Sequence, residues 1–282
     1  MGLNFVKRLR QIRDQLNFII KKADEDRGLK AAQYLQEHLY NNPKYLNSKR
    51  LNKHEFQAFS QYGEDGIIRE IFNRIGTTNK YFIEFGVENG YECNSLNLLY
   101  KQWSGLWIEG SKEYCDEIST RFSDLIQKGQ LTIKNNFITA ENIESIFKSA
   151  NVPAELDLLS IDIDYNDYYV WQAIKNYNPR VVVIEFNAVY DTDTEFVVPY
   201  NAERTWDKTS YFGASLLSLE KLGLQKGYNL VGCSFSGANA FFVRQDLVGD
   251  KFEAPFTAAN HYEPVRFFLY HKNGHPRGHR AN

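Results

Sequence analysis

Cysteine is scarce in this sequence. Cys93, Cys115 and Cys233 are the three cysteines among 282 residues, and they lie far apart. That number and spacing exclude a disulfide framework and a cysteine-ligated zinc cluster, and they suit a reducing compartment. No apolar run approaches the roughly 18–20 residues that a bilayer span requires, so no integral membrane segment is expected. A large excess of charge is missing too: 33 Lys+Arg stand against 35 Asp+Glu, a net charge of −2. Nothing in that balance attracts nucleic acid in general. The chain has no internal repeat or low-complexity tract, no Walker A loop and no G-x-S-x-G elbow, which removes the signatures of P-loop and serine-hydrolase chemistry. Lys7, Arg8, Arg10 and Arg13 interrupt the apolar residues of the N-terminus, a pattern unlike a signal peptide, so a cytoplasmic location is expected.

With 43% hydrophobic and 24% charged residues, the chain has the balance of a globular protein. Residues 1–40 read as a helix. Val6, Leu9, Ile12, Leu16 and Ile19 recur at spacings of three and four and form one apolar stripe. The expectation is that this stripe packs on its own domain; a membrane surface or a subunit contact is the alternative. Asn41, Asn42, Pro43 and the polar stretch to Lys53 read as a linker. From Phe56 onward strand and helix patterns alternate. Short apolar runs at Tyr81–Phe85, Gly105–Glu109, Leu131–Lys134, Leu156–Ile163 and Arg180–Phe186 read as strands of a parallel sheet with helices on both faces. Helices are expected at Ser60–Ile75, Asn94–Gln102, Glu113–Gln127, Glu141–Ala150, Asp167–Asn176 and Ser215–Lys226. Tyr228–Cys233 and Ala238–Arg244, joined by Ser234-Phe235-Ser236-Gly237, read as a terminal hairpin. The division expected is an N-terminal extension and linker (1–55), an α/β domain (56–250) and an irregular C-terminal segment (251–282).

Open α/β sheets bind ligands beyond the carboxyl ends of their strands, so those ends matter most. The first strand runs into Glu84-Phe85-Gly86-Val87-Glu88-Asn89-Gly90, whose glycines permit a tight turn and close approach of a ligand to the backbone. The second ends in Glu109, where a nucleotide-binding sheet places an acid on ribose hydroxyls. The fourth runs into Asp162-Ile163-Asp164-Tyr165-Asn166-Asp167, a concentration of carboxylates that repel one another unless something positive binds. The fifth ends Glu185-Phe186-Asn187. Pairing of these two strands would offer Asp162, Asp164, Glu185 and Asn187 as oxygen ligands for Mg²⁺ or a similar hard cation. Asp167 is expected to cap the next helix. An EF-hand is excluded, because Asp167 stands where that loop needs Gly and Ala173 where it needs Glu. His271, His275 and His279 are spaced by four, but Gly274, Pro276 and Gly278 forbid the helix that would align them. His261, beside aromatics, is a candidate general base, as are Asp164 and Glu185.

The segments SQYGEDGI (Ser60–Ile67), FIEFGVENG (Phe82–Gly90), GLWIEGS (Gly105–Ser111), LLSIDIDYNDYYVW (Leu158–Trp171), PRVVVIEFNA (Pro179–Ala188) and GYNLVGCSFSGANAFFV (Gly227–Val243) together resemble a class I S-adenosylmethionine (SAM)-dependent methyltransferase, closest to the FkbM-like group. The resemblance covers residues 56–245. It implies a Rossmann-like seven-stranded sheet, mostly parallel with one antiparallel strand. It also implies SAM as cofactor, with Glu84, Gly86 and Gly90 at the methionine part and Glu109 on the ribose. Asn135 and Asn136 would lie by the adenine, and Gln61 would close over cofactor or substrate; Asp162 is a further cofactor contact. Glu88 departs from the pattern, since such loops carry Gly or Asn there. The acid clusters also look like the metal site of catechol-type O-methyltransferases. Here, however, Phe186 separates Glu185 from Asn187, and Tyr165 and Asp167 stand where those enzymes have lysine.

The reaction expected is therefore SAM-dependent O-methylation of a small polar acceptor, such as a sugar or glycan hydroxyl, with divalent-metal assistance. The aromatic stretch Tyr190–Phe212 is the expected acceptor wall. Two other readings stand beside it. Asp162-Ile163-Asp164 matches the D-x-D pattern of metal-dependent glycosyltransferases. A non-catalytic binding protein could share the fold. A homo-oligomer formed through the N-terminal helix is a further expectation.

Overall fold

A computed structural model describes residues 2–269; His271, His275 and His279 lie outside the described residues. Seven strands form one sheet: β1 (Tyr81–Phe85), β2 (Ser104–Glu109), β3 (Leu131–Asn135), β4 (Glu155–Ile161), β5 (Asn178–Glu185), β6 (Tyr228–Cys233) and β7 (Asn239–Arg244). Their order is β3-β2-β1-β4-β5-β7-β6. β7 runs antiparallel to both its neighbours, and the first five strands pair in parallel. The terminal hairpin thus slides β7 between β5 and β6, giving the single antiparallel strand of the expected Rossmann-like sheet. The helices are α1 (Gly2–Leu35), α2 (Glu64–Ile75), α3 (Leu96–Leu99), α4 (Lys112–Arg121), α5 (Ser123–Gln127), α6 (Ile143–Ser149), α7 (Asp167–Ala173), α8 (Leu216–Gln225), α9 (Gln245–Val248) and α10 (Ala258–His261).

Successive strand residues point to opposite faces, and this chain fills both faces with apolar side chains. Val182 and Ile184 of β5, with Ile83 of β1 and Leu159 of β4, join Phe147 of α6, Trp171 of α7 and Leu219 of α8 in one core. Val181 and Val183, with Phe82 and Leu158, join Ile67 and Ile71 of α2, Leu96 of α3 and Ile118 of α4 in the other. A strand buried on both faces needs a continuous apolar run rather than an alternating one, which is why β4 and β5 read as they do.

Four expectations need correction. The helix foreseen from Ser60 starts at Glu64. The Asp65 carboxylate accepts the N–H groups of Ala58, Phe59 and Ser60, each at 2.8 Å, and so folds the preceding segment back as a loop. The helix foreseen over Asn94–Gln102 is limited to Leu96–Leu99, because the N–H groups of Asn94 and Ser95 turn to Glu84 instead. The C-terminal segment is not wholly irregular: it contains α10, and buried Glu263 accepts hydrogen bonds from Lys44 (2.9 Å), Tyr45 (2.8 Å) and Arg266 (2.8 Å). That clamp ties the linker after α1 to the chain beyond β7. Finally, the apolar stripe of α1 does not pack on the domain. Val6, Leu9, Ile12, Leu16 and Ile19 are 46–61% exposed. Only the far end of the helix is held, where Tyr34 and Leu35 pack against a small cluster of Leu39, Tyr45 and Phe235.

The end of the sheet away from the strands' carboxyl termini is fixed by Asp157 of β4. Its buried carboxylate accepts N–H bonds from Thr78, Asn79 and Lys80 at 2.7–3.1 Å. It also pairs with Arg180 of β5 at 3.1 Å. Removing it leaves a buried guanidinium and three backbone donors without their partner. Asp157→Ala is expected to lower stability by on the order of 3–5 kcal/mol in denaturant unfolding, with ligand binding at the opposite end of the strands retained.

Candidate active site

The strand order reverses between β1 and β4, and a crevice opens beyond their carboxyl ends, the general location of ligand sites in open α/β sheets. A cavity of about 700 Å³ lies there. Gly86 sits at its floor with φ +65°, and a Cβ on it would lie 1.9 Å from the Asp162 carbonyl oxygen. The two chain segments leaving the sheet therefore touch backbone to backbone, and only glycine allows it. Gly90, at φ +76°, serves the fold instead. A Cβ there would strike the Trp107 and Phe122 rings, and Gly90 is not among the residues lining the cavity. Glu88 also has positive φ, +47°, a conformation that Gly and Asn adopt more readily than Glu.

Several of the expected acids line the cavity while bracing its walls. Glu84 is buried on the α2–α3 side of β1; it accepts the N–H groups of Asn94 (2.7 Å) and Ser95 (2.9 Å) and the Ser95 hydroxyl. Burial, with a smaller contribution from the nearby Asp65 charge, pushes Glu84 up to about 7. Glu109 accepts the N–H of Glu88 at 2.8 Å on one oxygen and that of Ser111 at 2.7 Å on the other, locking the loop after β1 to the end of β2. Gln61 is also among the residues lining the cavity.

Asp162, Asp164 and Glu185 meet as the pairing of β4 with β5 requires. Each offers a carboxylate oxygen, and these oxygens lie within 4.8 Å of one another. Burial, and then the charges of Asp167 and Asp164, raise Asp162 well above the usual carboxylate range. Burial, and then Asp162, do the same for Glu185. Asp164 reaches the cluster from a left-handed backbone, φ +64°. The donor set, three carboxylates and no nitrogen or sulfur, fits a hard divalent cation.

Other expected residues are placed elsewhere. Asn187 is turned inward; its amide donates to the carbonyls of Ser210 (2.8 Å) and Phe212 (3.0 Å) and its carbonyl accepts Val189 N–H. It braces the Tyr190–Phe212 insertion rather than facing the acid cluster. Asn135 donates to the carbonyls of Glu109 and Gly110, while its neighbours Asn136 and Phe137 line the cavity. His261 is buried at the end of α10 and donates to the Glu253 carbonyl (3.0 Å). Burial and the nearby Arg50 charge drive its pKa down to about 3, and it is apart from the cavity lining. Asp167 tethers its own loop through Ile163 N–H (2.9 Å) and does not cap α7, whose N-cap is Asn166.

Sequence reading missed Glu92, Asn239 and Phe267 of the lining. Asn239 stands opposite Glu185 in the β5–β7 register, a juxtaposition that no local pattern encodes. Phe267 stacks on Tyr62 across the rim, ring centroids 5.8 Å apart. Arg204, Trp206 and Phe212, within the Tyr190–Phe212 insertion, line the cavity. In all, seven carboxylates and one guanidinium, that of Arg204, line this cavity.

No protein-family model and no curated protein matches the chain. Solved structures similar to it include a SAM-dependent methyltransferase from Clostridium acetobutylicum, at 11% identity and a TM-score of 0.40 over 67% of this chain and 92% of that one. Another is the N-terminal domain of EvdMO1 with SAH bound, at 11% and 0.38 over 67% and 80%. A third is PKMT2 from Rickettsia typhi, at 12% and 0.45 over 73% and 57%. The sheet order itself, not this likeness, defines the fold described above.

Two outcomes follow from the geometry. Gly86→Ala is expected to cost on the order of 1–3 kcal/mol in denaturant unfolding, from positive φ and the contact with Asp162 together, whereas Gly110→Ala, whose Cβ would meet nothing closer than the Phe137 ring at 3.6 Å, an ordinary van der Waals contact, is expected to be far milder. The second concerns pH. Glu84 and Glu55, the latter raised by burial to about 8, start from an ordinary value of 4.5. The native state therefore holds protons that the unfolded chain has released. Stability of the ligand-free protein is fully present below about pH 4.5 as far as these groups are concerned, and is lost as pH rises toward 8. His261, lowered from 6.5 to about 3, works the other way below pH 6.5, but the two glutamates together outweigh it. Melting temperatures near pH 5 are therefore expected to exceed those near pH 8; the opposite order would contradict the raised values.

Proposed function

We propose that this protein is a SAM-dependent methyltransferase acting on a hydroxyl of a small polar acceptor, of the FkbM-like kind, with a sugar or glycan precursor as the acceptor class. The observation that carries the reading is the sign of the cavity. Seven acidic side chains against one guanidinium at the switch point favour a ligand of net positive charge, and SAM carries a sulfonium and an ammonium against a single carboxylate. A nucleotide sugar brings phosphates, which these acids repel except at a bridging metal. The floor at Gly86 gives a ligand access to backbone, and Glu109 at the end of β2 holds the position from which an acid meets ribose hydroxyls.

Within this reading Gln61, Glu84, Gly86, Glu109 and Asp162 belong to the cofactor side. Asp162, Asp164 and Glu185 would hold a divalent cation such as Mg²⁺, which when bound would lower the pKa of an acceptor hydroxyl. The protein's own part is alignment: the acceptor oxygen must lie in line with the methyl and sulfur. Trp206 and Phe212 offer flat apolar faces suited to the C–H face of a sugar, and Arg204 offers donors to its hydroxyls. Asp164 or Glu185 accepts the hydroxyl proton, and His261 is not needed. The same reading centres the catalytic unit on residues 56–250, between the 1–55 extension and the 251–282 segment, whose Phe267 joins the cavity lining, in a cytoplasmic protein.

Calorimetric titration with SAM and S-adenosylhomocysteine, with Mg²⁺ or with EDTA, tests it. Micromolar binding is expected, weakened on the order of 10–100-fold by Glu109→Ala, a charged hydrogen-bonding loss. Glu185→Gln is expected to remove most methyl transfer while leaving cofactor affinity near that of the unaltered protein. A folded protein that ignores SAM and titrates UDP- or GDP-sugar would replace this reading with the glycosyltransferase one through Asp162 and Asp164.

A further inference from the structure

From Phe5 to Arg27, α1 stands clear of the rest of the molecule: every residue of that stretch is exposed. No helix of the described residues is long and apolar enough to cross a membrane. Yet Phe5, Leu9, Ile12, Leu16 and Ile19 follow one another at spacings of 4, 3, 4 and 3, with Ile20 and Ala23 on the same side. They form one continuous stripe about 27 Å long at 1.5 Å per residue. Each of the five is 46–64% exposed. A stripe of this kind is stable in water only when something covers it.

Charge decides what covers it. Residues 2–23 carry six basic side chains and one acidic, Asp14, and Asp14 is paired with Arg13 at 3.0 Å. Arg8, Arg13 and Lys22 border the stripe, each three or four residues from a member of it. The sign reverses as the stripe ends, at Asp24-Glu25-Asp26. In a paired coil the positions bordering the seam face their counterparts and are normally of opposite charge. A second copy of this helix would set arginine and lysine against arginine and lysine. An anionic lipid surface sets phosphate against them instead, while the acyl boundary takes the apolar stripe.

We propose that residues 2–23 of α1 form an interfacial helix that docks the protein on an anionic phospholipid surface, lying in the plane of the bilayer with Phe5, Leu9, Ile12, Leu16 and Ile19 inserted. The α/β body hangs from its other end, where Tyr34 packs edge-on against Phe268 and beside Phe235. This inference is independent of the reaction carried out in the cavity.

Flotation of the full chain with vesicles of phosphatidylcholine, alone or mixed with phosphatidylglycerol, tests it. Flotation is expected with the mixed vesicles, reversed by high salt, and on the order of tenfold weaker with phosphatidylcholine alone. The double variant Leu9→Glu/Leu16→Glu is expected to stay in solution. Arg8→Glu/Arg13→Glu/Lys22→Glu is expected to bind on the order of 100-fold more weakly. All substituted side chains are exposed, so an unchanged melting temperature shows that the body remains folded. Failure to float with anionic vesicles overturns the proposal. So does a dimer in sedimentation velocity, without lipid, that Leu9→Glu/Leu16→Glu dissolves, which would assign the stripe to a second copy.

Discussion

The close contact between Gly86 and the Asp162 carbonyl is the constraint on which the site depends. It occurs where β1 and β4, neighbours in the sheet, send their chains to opposite sides. Both segments must leave a twisted parallel sheet within a few ångströms of each other, and a side chain on Gly86 would push them apart. Because they do meet, the loop after β1 and the acids after β4 share one cavity. Glu109 then reaches that loop from β2, and Glu185 reaches the acids from β5. The site is assembled from four strand ends that lie up to a hundred residues apart in the chain, with their spacing set by the strand separation of the sheet.

Around that contact, polar side chains act first as braces. Glu84 holds the start of α3, Glu109 holds Glu88 and Ser111, Asp167 holds Ile163, and Asn187 holds the insertion after β5. A loop carrying catalytic groups has few apolar contacts of its own, so its shape must come from hydrogen bonds to buried side chains. This double duty separates residues that can still meet a ligand, such as Glu109, from residues whose groups are consumed by the scaffold, such as Asn187 and His261.

The electrostatics of the cavity run against the stability of the ligand-free protein. Asp162 and Glu185 repel each other in a poorly solvated place and retain protons well above the normal carboxylate range. Such a cluster is tolerable when a cation or a cationic ligand binds, because one positive charge offsets several unfavourable pairs at once. The stability sacrificed by crowding these acids at one half-buried place is the counterpart of affinity for what they bind. On α1 the same imbalance appears with the sign reversed, as basic side chains beside exposed apolar surface.

Much of this was legible in the residues. Continuous apolar runs such as Arg180–Phe186 identified strands buried on both faces, and the acids at the ends of β2, β4 and β5 could be assigned to one end of the sheet because parallel strands share direction. What the residues alone did not determine were the directions of individual side chains and the partners brought from afar. Nothing near Asn187 in the chain announces the carbonyls of Ser210 and Phe212, and nothing near Asn239 announces Glu185. The periodicity of α1 required an amphipathic helix, but a stripe has the same spacing whether it is covered or bare. Side-chain period and strand direction are local properties of the backbone, so the sequence carries them. Which donor reaches which acceptor depends on how the chain closes in three dimensions, and only the tertiary structure decides that.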